Sequence, residues 1–108
     1  MRFVTYDLAV DLVRRMREPI DAIRRFDPDL ARQASRALAS VPLNVAEANG
    51  RAGRDRLHLS RVALGSLREL GAALDVATAL GWLGEPPLAV ERDRLCGLIY
   101  GCQRPKRK

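Results

Sequence analysis

Apolar residues recur along this chain at three- and four-residue intervals, the spacing of a helix face, and nowhere alternate as a strand would. Behind Thr5, which reads as an N-cap, Tyr6, Ala9, Val13, Met16, Ile20 and Ile23 form one stripe, widened by Leu8 and Leu12. The pattern predicts a helix over residues 6–25. Pro19 removes one backbone donor and crowds the preceding turn, so a kink or restart is expected near Arg17–Pro19. Phe26-Asp27-Pro28 is a stop followed by a start, with Asp27 as cap and Pro28 at the first helical position.

A second helix is predicted over 28–49, with Leu30, Ala34, Ala37, Leu38, Val41, Val45 and Ala48 on one face and a bend at Pro42. Asn49-Gly50-Arg51-Ala52-Gly53 reads as a loop. A third helix, capped by Asp55, reaches Leu80 and carries two stripes: Leu57, Leu64, Leu67 and Leu74, then Leu59, Ala63, Leu70, Ala73, Ala77 and Leu80. A face that wide is expected to be buried against two surfaces, with Gly65 and Gly71 allowing close backbone approach. After a break over 81–87, Leu88, Leu95, Leu98, Ile99 and Cys102 line a shorter fourth helix. Four amphipathic helices with short connections predict an all-α, antiparallel up-down-up-down four-helix bundle. Its domain is residues 1–103, followed by a basic tail over 104–108.

Composition narrows what such a bundle does. The 108 residues, 47% of them hydrophobic, can bury a core. No apolar run reaches the length of a membrane span, and Asp7 and Asp11 break the only stretch that resembles a signal peptide. The expected location is therefore cytoplasmic. Cys96 and Cys102 lie six residues apart on one helix and face opposite sides, which excludes a disulfide framework. With a single His, His58, no zinc set can be assembled; no cofactor and no metal are expected.

Charge supplies the functional signal. Nineteen basic residues against thirteen acidic give +6, and seventeen of the nineteen are Arg. Arg51, Arg54, Arg56 and Arg61 against Asp55 make segment 50–61 net +3, and Arg104, Lys106, Arg107 and Lys108 make the tail net +4. In an up-down-up-down bundle the second loop and the C-terminus share one end, so the net charge gathers at one pole. These eight residues are the candidates for contacts to nucleic-acid phosphates, of RNA or DNA, read by backbone rather than by base. Aromatic residues, at 5%, are too few for a base-stacking platform. The other Arg group, Arg14, Arg15, Arg17, Arg24, Arg25, Arg32 and Arg36, is partly offset by Glu18, Asp21, Asp27 and Asp29 and reads as a solvated face.

Ser40, Asn44 and Glu47 form a polar line on the second helix, and Ser66 and Glu69 sit among the leucines of the third. If these helices pack antiparallel, the five meet in a buried structural polar network that fixes register. Glu47 and Glu69 could instead act as an acid/base pair, but no His, metal set or cleft residue accompanies them. No phosphate loop, nucleophile elbow or metalloprotease motif is present, so the chain is not expected to be an enzyme. Gly97 and Gly101 have small-residue contact spacing, and Trp82 reads as a core or interface residue.

The run from Gln33 to Ala48, QASRALASVPLNVAEA, is similar to the family pattern Q-x-x-R-A-x-x-S-I-P-x-N-I-A-E-G, which places Pro42 inside the motif. Ala63 to Leu70, ALGSLREL, resembles the partner run A-x-G-S-L-x-E-L. Both belong to the four-helix bundle family of proteins encoded in intervening sequences of large-subunit ribosomal RNA. Its relatives include the accessory variability determinant proteins of diversity-generating retroelements. The resemblance spans roughly residues 3–100 and departs at Ala48, where the pattern has glycine. It implies a ring-like homo-oligomer, a homopentamer, that would multiply any basic pole by avidity. In the retroelement branch it implies a reverse transcriptase and its template RNA as partners. The expected function is thus a non-enzymatic, oligomeric nucleic-acid-binding scaffold; the alternative is a protein–protein interaction bundle with no nucleic-acid role.

Overall fold

A computed structural model describes residues 4–101, and all regular structure among them is helical. The segments are α1 (Val4–Arg15), α2 (Arg17–Arg24), α3 (Pro28–Asn49), α4 (Gly53–Ala79) and α5 (Ala89–Gly101). They form a rod of 49 × 22 × 22 Å. No described helix is long and apolar enough to cross a membrane.

The break between α1 and α2 is the restart expected from Pro19. Its missing N–H would have bonded the Arg15 carbonyl, and the helix lapses at Met16 just where that bond is lost. The chain still bridges the gap, because Met16 N–H donates to Leu12 O (2.9 Å) and Ile20 N–H to Met16 O (3.1 Å). Met16 is fully buried there, so α1 and α2 behave as one interrupted rod. Thr5 does not cap this rod. It lies inside α1 with its side chain buried.

Asp27 caps α3 as its sequence context demands: one carboxylate oxygen accepts from the Asp29 and Leu30 N–H groups at 3.1 and 3.0 Å. Pro28 holds the first position, and α3 runs unbroken through Pro42 to Asn49. At the far end of α4, Gly81 adopts a left-handed φ of 82°. Trp82 N–H then reaches back to Ala77 O and Gly81 N–H to Thr78 O, the paired bonds of a Schellman cap. Asp55 is not the cap of α4. That position falls to Ala52, which has no side-chain acceptor, while Asp55 sits in the first turn beside the helix dipole.

The core is shared by every segment. α3 packs on α1, α2 and α4, while α5 closes the other side against α1 and α4. Ala31, Ala34, Val41, Ala63, Leu70, Leu74 and Ala77 are essentially inaccessible, and alanines this frequent let α3 and α4 approach closely. Most of both stripes of α4 is buried inside the single chain: Leu64, Leu67, Leu70, Ala73, Leu74 and Ala77 are buried, while Leu57 and Leu59 are half-buried. The two surfaces they meet are α3 and α5. Leu80 and Tyr6, counted among the core stripes, are exposed instead. The glycines do less than their spacing suggested. Gly65, Gly97 and Gly101 have open space where a Cβ would be, and only Gly71 has a close neighbour, the Arg92 guanidinium.

Candidate nucleic-acid interface

Of the four candidate arginines of segment 50–61, Arg51 lies in the loop between α3 and α4, while Arg54, Arg56 and Arg61 lie on α4. Gly53, with a left-handed φ of 62°, turns the chain into the helix. Because Ala52 cannot cap, the first N–H groups of α4 lack a side-chain acceptor, an arrangement that favours an anion at the helix start. Arg54 and Arg61 are exposed, Arg56 is half-buried, and none of the three forms an ion pair among the described residues. Arg51 differs. Its guanidinium is shared between Glu47 (3.1 Å) and Asp55 (3.6 Å), so it clamps the end of α3 to the first turn of α4 and its charge is already answered.

Arg56 is the most structured of the four. It lines a small cavity with Thr5, Val45, Ala48, Asn49, Ser60 and Ile99. Since Ile99 belongs to the last turns of α5, that helix ends beside the α3–α4 loop. Arg104, Lys106, Arg107 and Lys108 lie outside the described residues, as does Cys102.

The second Arg group is neutralised in part. Arg14 and Arg15 pair with Asp11, Arg15 also with Glu91, Arg24 with Asp21 and Arg32 with Asp29. All are solvent-facing, so each contributes little to stability. Arg17, Arg25 and Arg36 form no ion pair among the described residues.

The polar network between α3 and α4 is smaller than five residues. Ser66 Oγ donates to Ser40 Oγ at 2.8 Å, and Asn44 Nδ2 donates to Ser40 Oγ and Ser40 O at 2.9 and 2.8 Å. Glu47 and Glu69 stand outside it. Both are exposed, with Glu47 turned to Arg51, so they neither join the buried cluster nor face each other in a pocket. The reason is angular. Glu47 and Glu69 continue the polar lines by three residues, and each such step rotates the side chain further from the seam. His58 is exposed, and no group of three His, Cys, Asp or Glu residues among those described could hold a metal.

One feature carried no recognisable signal in the sequence. Phe26 stacks on Trp82 with ring centroids 5.4 Å apart and planes within 1°, joining the α2–α3 corner to the α4 exit. The two residues are 56 positions apart, and only the pairing of α3 with α4 brings those corners together.

Among protein families, the model for the 23S rRNA-intervening sequence protein matches residues 2–94. No curated protein and no solved structure matches the chain.

Proposed function

The chain belongs to the 23S rRNA-intervening sequence protein family, and we propose that it is a non-enzymatic, cytoplasmic scaffold that binds nucleic acid through the phosphate backbone. The observation that carries this reading is the uncapped start of α4, with Arg54 and Arg56 in its first turn and Arg61 further along the helix, none of them in an ion pair with a described carboxylate. Helix N–H groups and guanidinium forks are the donors that phosphate oxygens accept from, and neither reads a base. Arg104, Lys106, Arg107 and Lys108, outside the described residues, are proposed to add to this surface. A ring-like homo-oligomer would repeat this pole around its circumference, turning weak contacts into avid ones. A reverse transcriptase as protein partner is the furthest extension of the proposal and rests on sequence resemblance alone.

The test is fluorescence anisotropy with labelled RNA and duplex DNA across a salt series, with the mass followed by light scattering. Binding should weaken steeply with salt and little with sequence. The Arg54→Ala/Arg56→Ala/Arg61→Ala variant should lose affinity for every probe, with a log–log salt slope shallower by roughly one unit for each phosphate contact removed. Arg51→Ala should weaken binding far less, because Arg51 is already paired. Unchanged affinity in the triple variant would overturn the site. Absence of binding at low salt would leave a protein-interaction bundle.

A further inference from the structure

Three polar side chains are buried among the described residues, and they are not equivalent. Ser66 has a partner in Ser40. Thr5, 7% exposed, and Ser60, 3% exposed, make no side-chain hydrogen bond with any described residue. A helix hydroxyl can satisfy itself by back-bonding, as Thr78 does to Leu74 O at 2.8 Å, but Ser60 does not. Buried hydroxyls are rarely left in that condition, so each calls for a physical explanation.

Thr5 and Ser60, the residues that carry the two unpartnered hydroxyls, line the same cavity. Its volume is about 10 Å³, and Val45, Ala48, Asn49, Arg56 and Ile99 are the other described residues in its wall. That volume is about the room one water molecule needs, on the order of 10–15 Å³ by the same measure. A phosphate or any organic ligand is too large for it. Among the described residues of the wall there is no carboxylate, thiol or imidazole for a metal ion.

We infer that this cavity is a binding site for a single water molecule, held between the hydroxyls of Thr5 and Ser60 and flanked by Asn49 and Arg56. Water both donates and accepts, so one molecule answers two hydroxyls that do not answer each other. Its placement gives it a structural job. Thr5 is on α1 and Ser60 on α4, and each of these helices packs on α3 and α5. The water ties that diagonal of the bundle at the end where the α3–α4 loop lies. This inference stands apart from the nucleic-acid reading.

The experiment joins a direct observation to a mutant cycle. In the wild-type protein, water–protein cross-relaxation in NMR should show a long-lived water contacting the side-chain protons of both Thr5 and Ser60. Its absence would overturn the site regardless of how any variant folds. Thr5→Val and Ser60→Ala should each lower the folding equilibrium constant roughly tenfold in urea titrations, by stranding the other hydroxyl. The double variant should lose no more than the worse single one, because the second deletion removes a group already stranded. Losses that simply add, or single variants as stable as the parent, would mean that the hydroxyls share no water.

Discussion

Along the seam between α3 and α4 the facing residues are Ala31, Ala34, Val41, Leu70, Leu74 and Ala77, all sealed from solvent, with Ser40 and Ser66 bonded across the middle. On the opposite flank, α5 offers only Leu95 and Ile99 to the core at full burial, with Leu88 and Cys96 partly buried against it. The rest of its attachment is polar. Glu91 pairs with Arg15 of α1 at 3.2 Å, and Arg92 Nε donates to the Pro87 carbonyl at 3.0 Å across the first turn. Leu88, the residue before α5, is held at a left-handed φ of 54°, a conformation non-glycine residues rarely adopt. One bundle therefore contains a helix pair fixed by close packing and a helix fixed at a few points.

The largest expected effect comes from deleting the same side chain on each side of that contrast. Leu74→Ala opens a cavity among residues that α3 and α4 hold rigidly, and should cost about 3 kcal/mol of global stability. Leu95→Ala removes an equally buried leucine, but under a helix with few other anchors, and should cost about 2 kcal/mol. The difference in mechanism is sharper than the difference in size. Native-state hydrogen exchange should show protection falling across the whole chain in the first variant and chiefly over residues 89–101 in the second. Equal loss of protection on α3 and α4 in both would break the comparison.

What sequence made visible follows the same division. The α3–α4 pair was legible because everything that positions it is local or periodic: the Asp27 cap, the Pro28 start, the alanine-rich face and the glycine-bounded loop. On α5 the apolar line marked the two residues that are buried, Leu95 and Ile99, but not the polar attachments through Glu91 and Arg92, which carry no periodic pattern to read. The candidate interface was legible as a cluster of Arg residues, but not their ranking. That depends on Arg51 reaching both Glu47 and Asp55, and on an alanine, Ala52, taking the cap position in place of Asp55. Ser40 and Ser66 are 26 residues apart and met as their spacing allowed; Glu47 and Glu69 did not, since continuing each polar line carried them round to solvent.

A medium effect should come from the brace at the start of α5. Arg92→Ala removes the donor to Pro87 O and leaves the strained Leu88 turn without its support, at about 1 kcal/mol. Gly71 on α4 is where the Arg92 guanidinium passes, since a Cβ there would stand 3.1 Å from Nη1. Gly71→Ala gains helix propensity, up to about 1 kcal/mol, but pushes that side chain aside. Urea titrations should therefore show Gly71→Ala stabilising the Arg92→Ala background by more than it stabilises the parent. Equal effects in the two backgrounds would show that Arg92 yields without loss, and that α5 depends less on its brace than on Leu95 and Ile99.

The smallest effect reads the flank through Cys96, on the inner side of α5 beside Arg68, Arg92 and Asp93. Burial pushes its thiol above the ordinary range and Asp93 adds to the rise, while Arg68 and Arg92 oppose it. A raised thiol means that the unfolded chain loses its proton first. Stability from the neutral thiol is thus complete below the ordinary thiol pKa and drains away as pH climbs through the higher folded value. In a Cys102→Ser background, alkylation of Cys96 should follow a pH profile displaced upward from that of the same protein in urea. The stability gap to a further Cys96→Ala variant should shift against Cys96 over that same alkaline window. If the native and urea profiles coincide, solvent reaches Cys96 as freely in the folded protein as in the unfolded one. The flank would then open at Cys96 while the seam stays shut, a wider contrast than two buried residues against a sealed interface would imply.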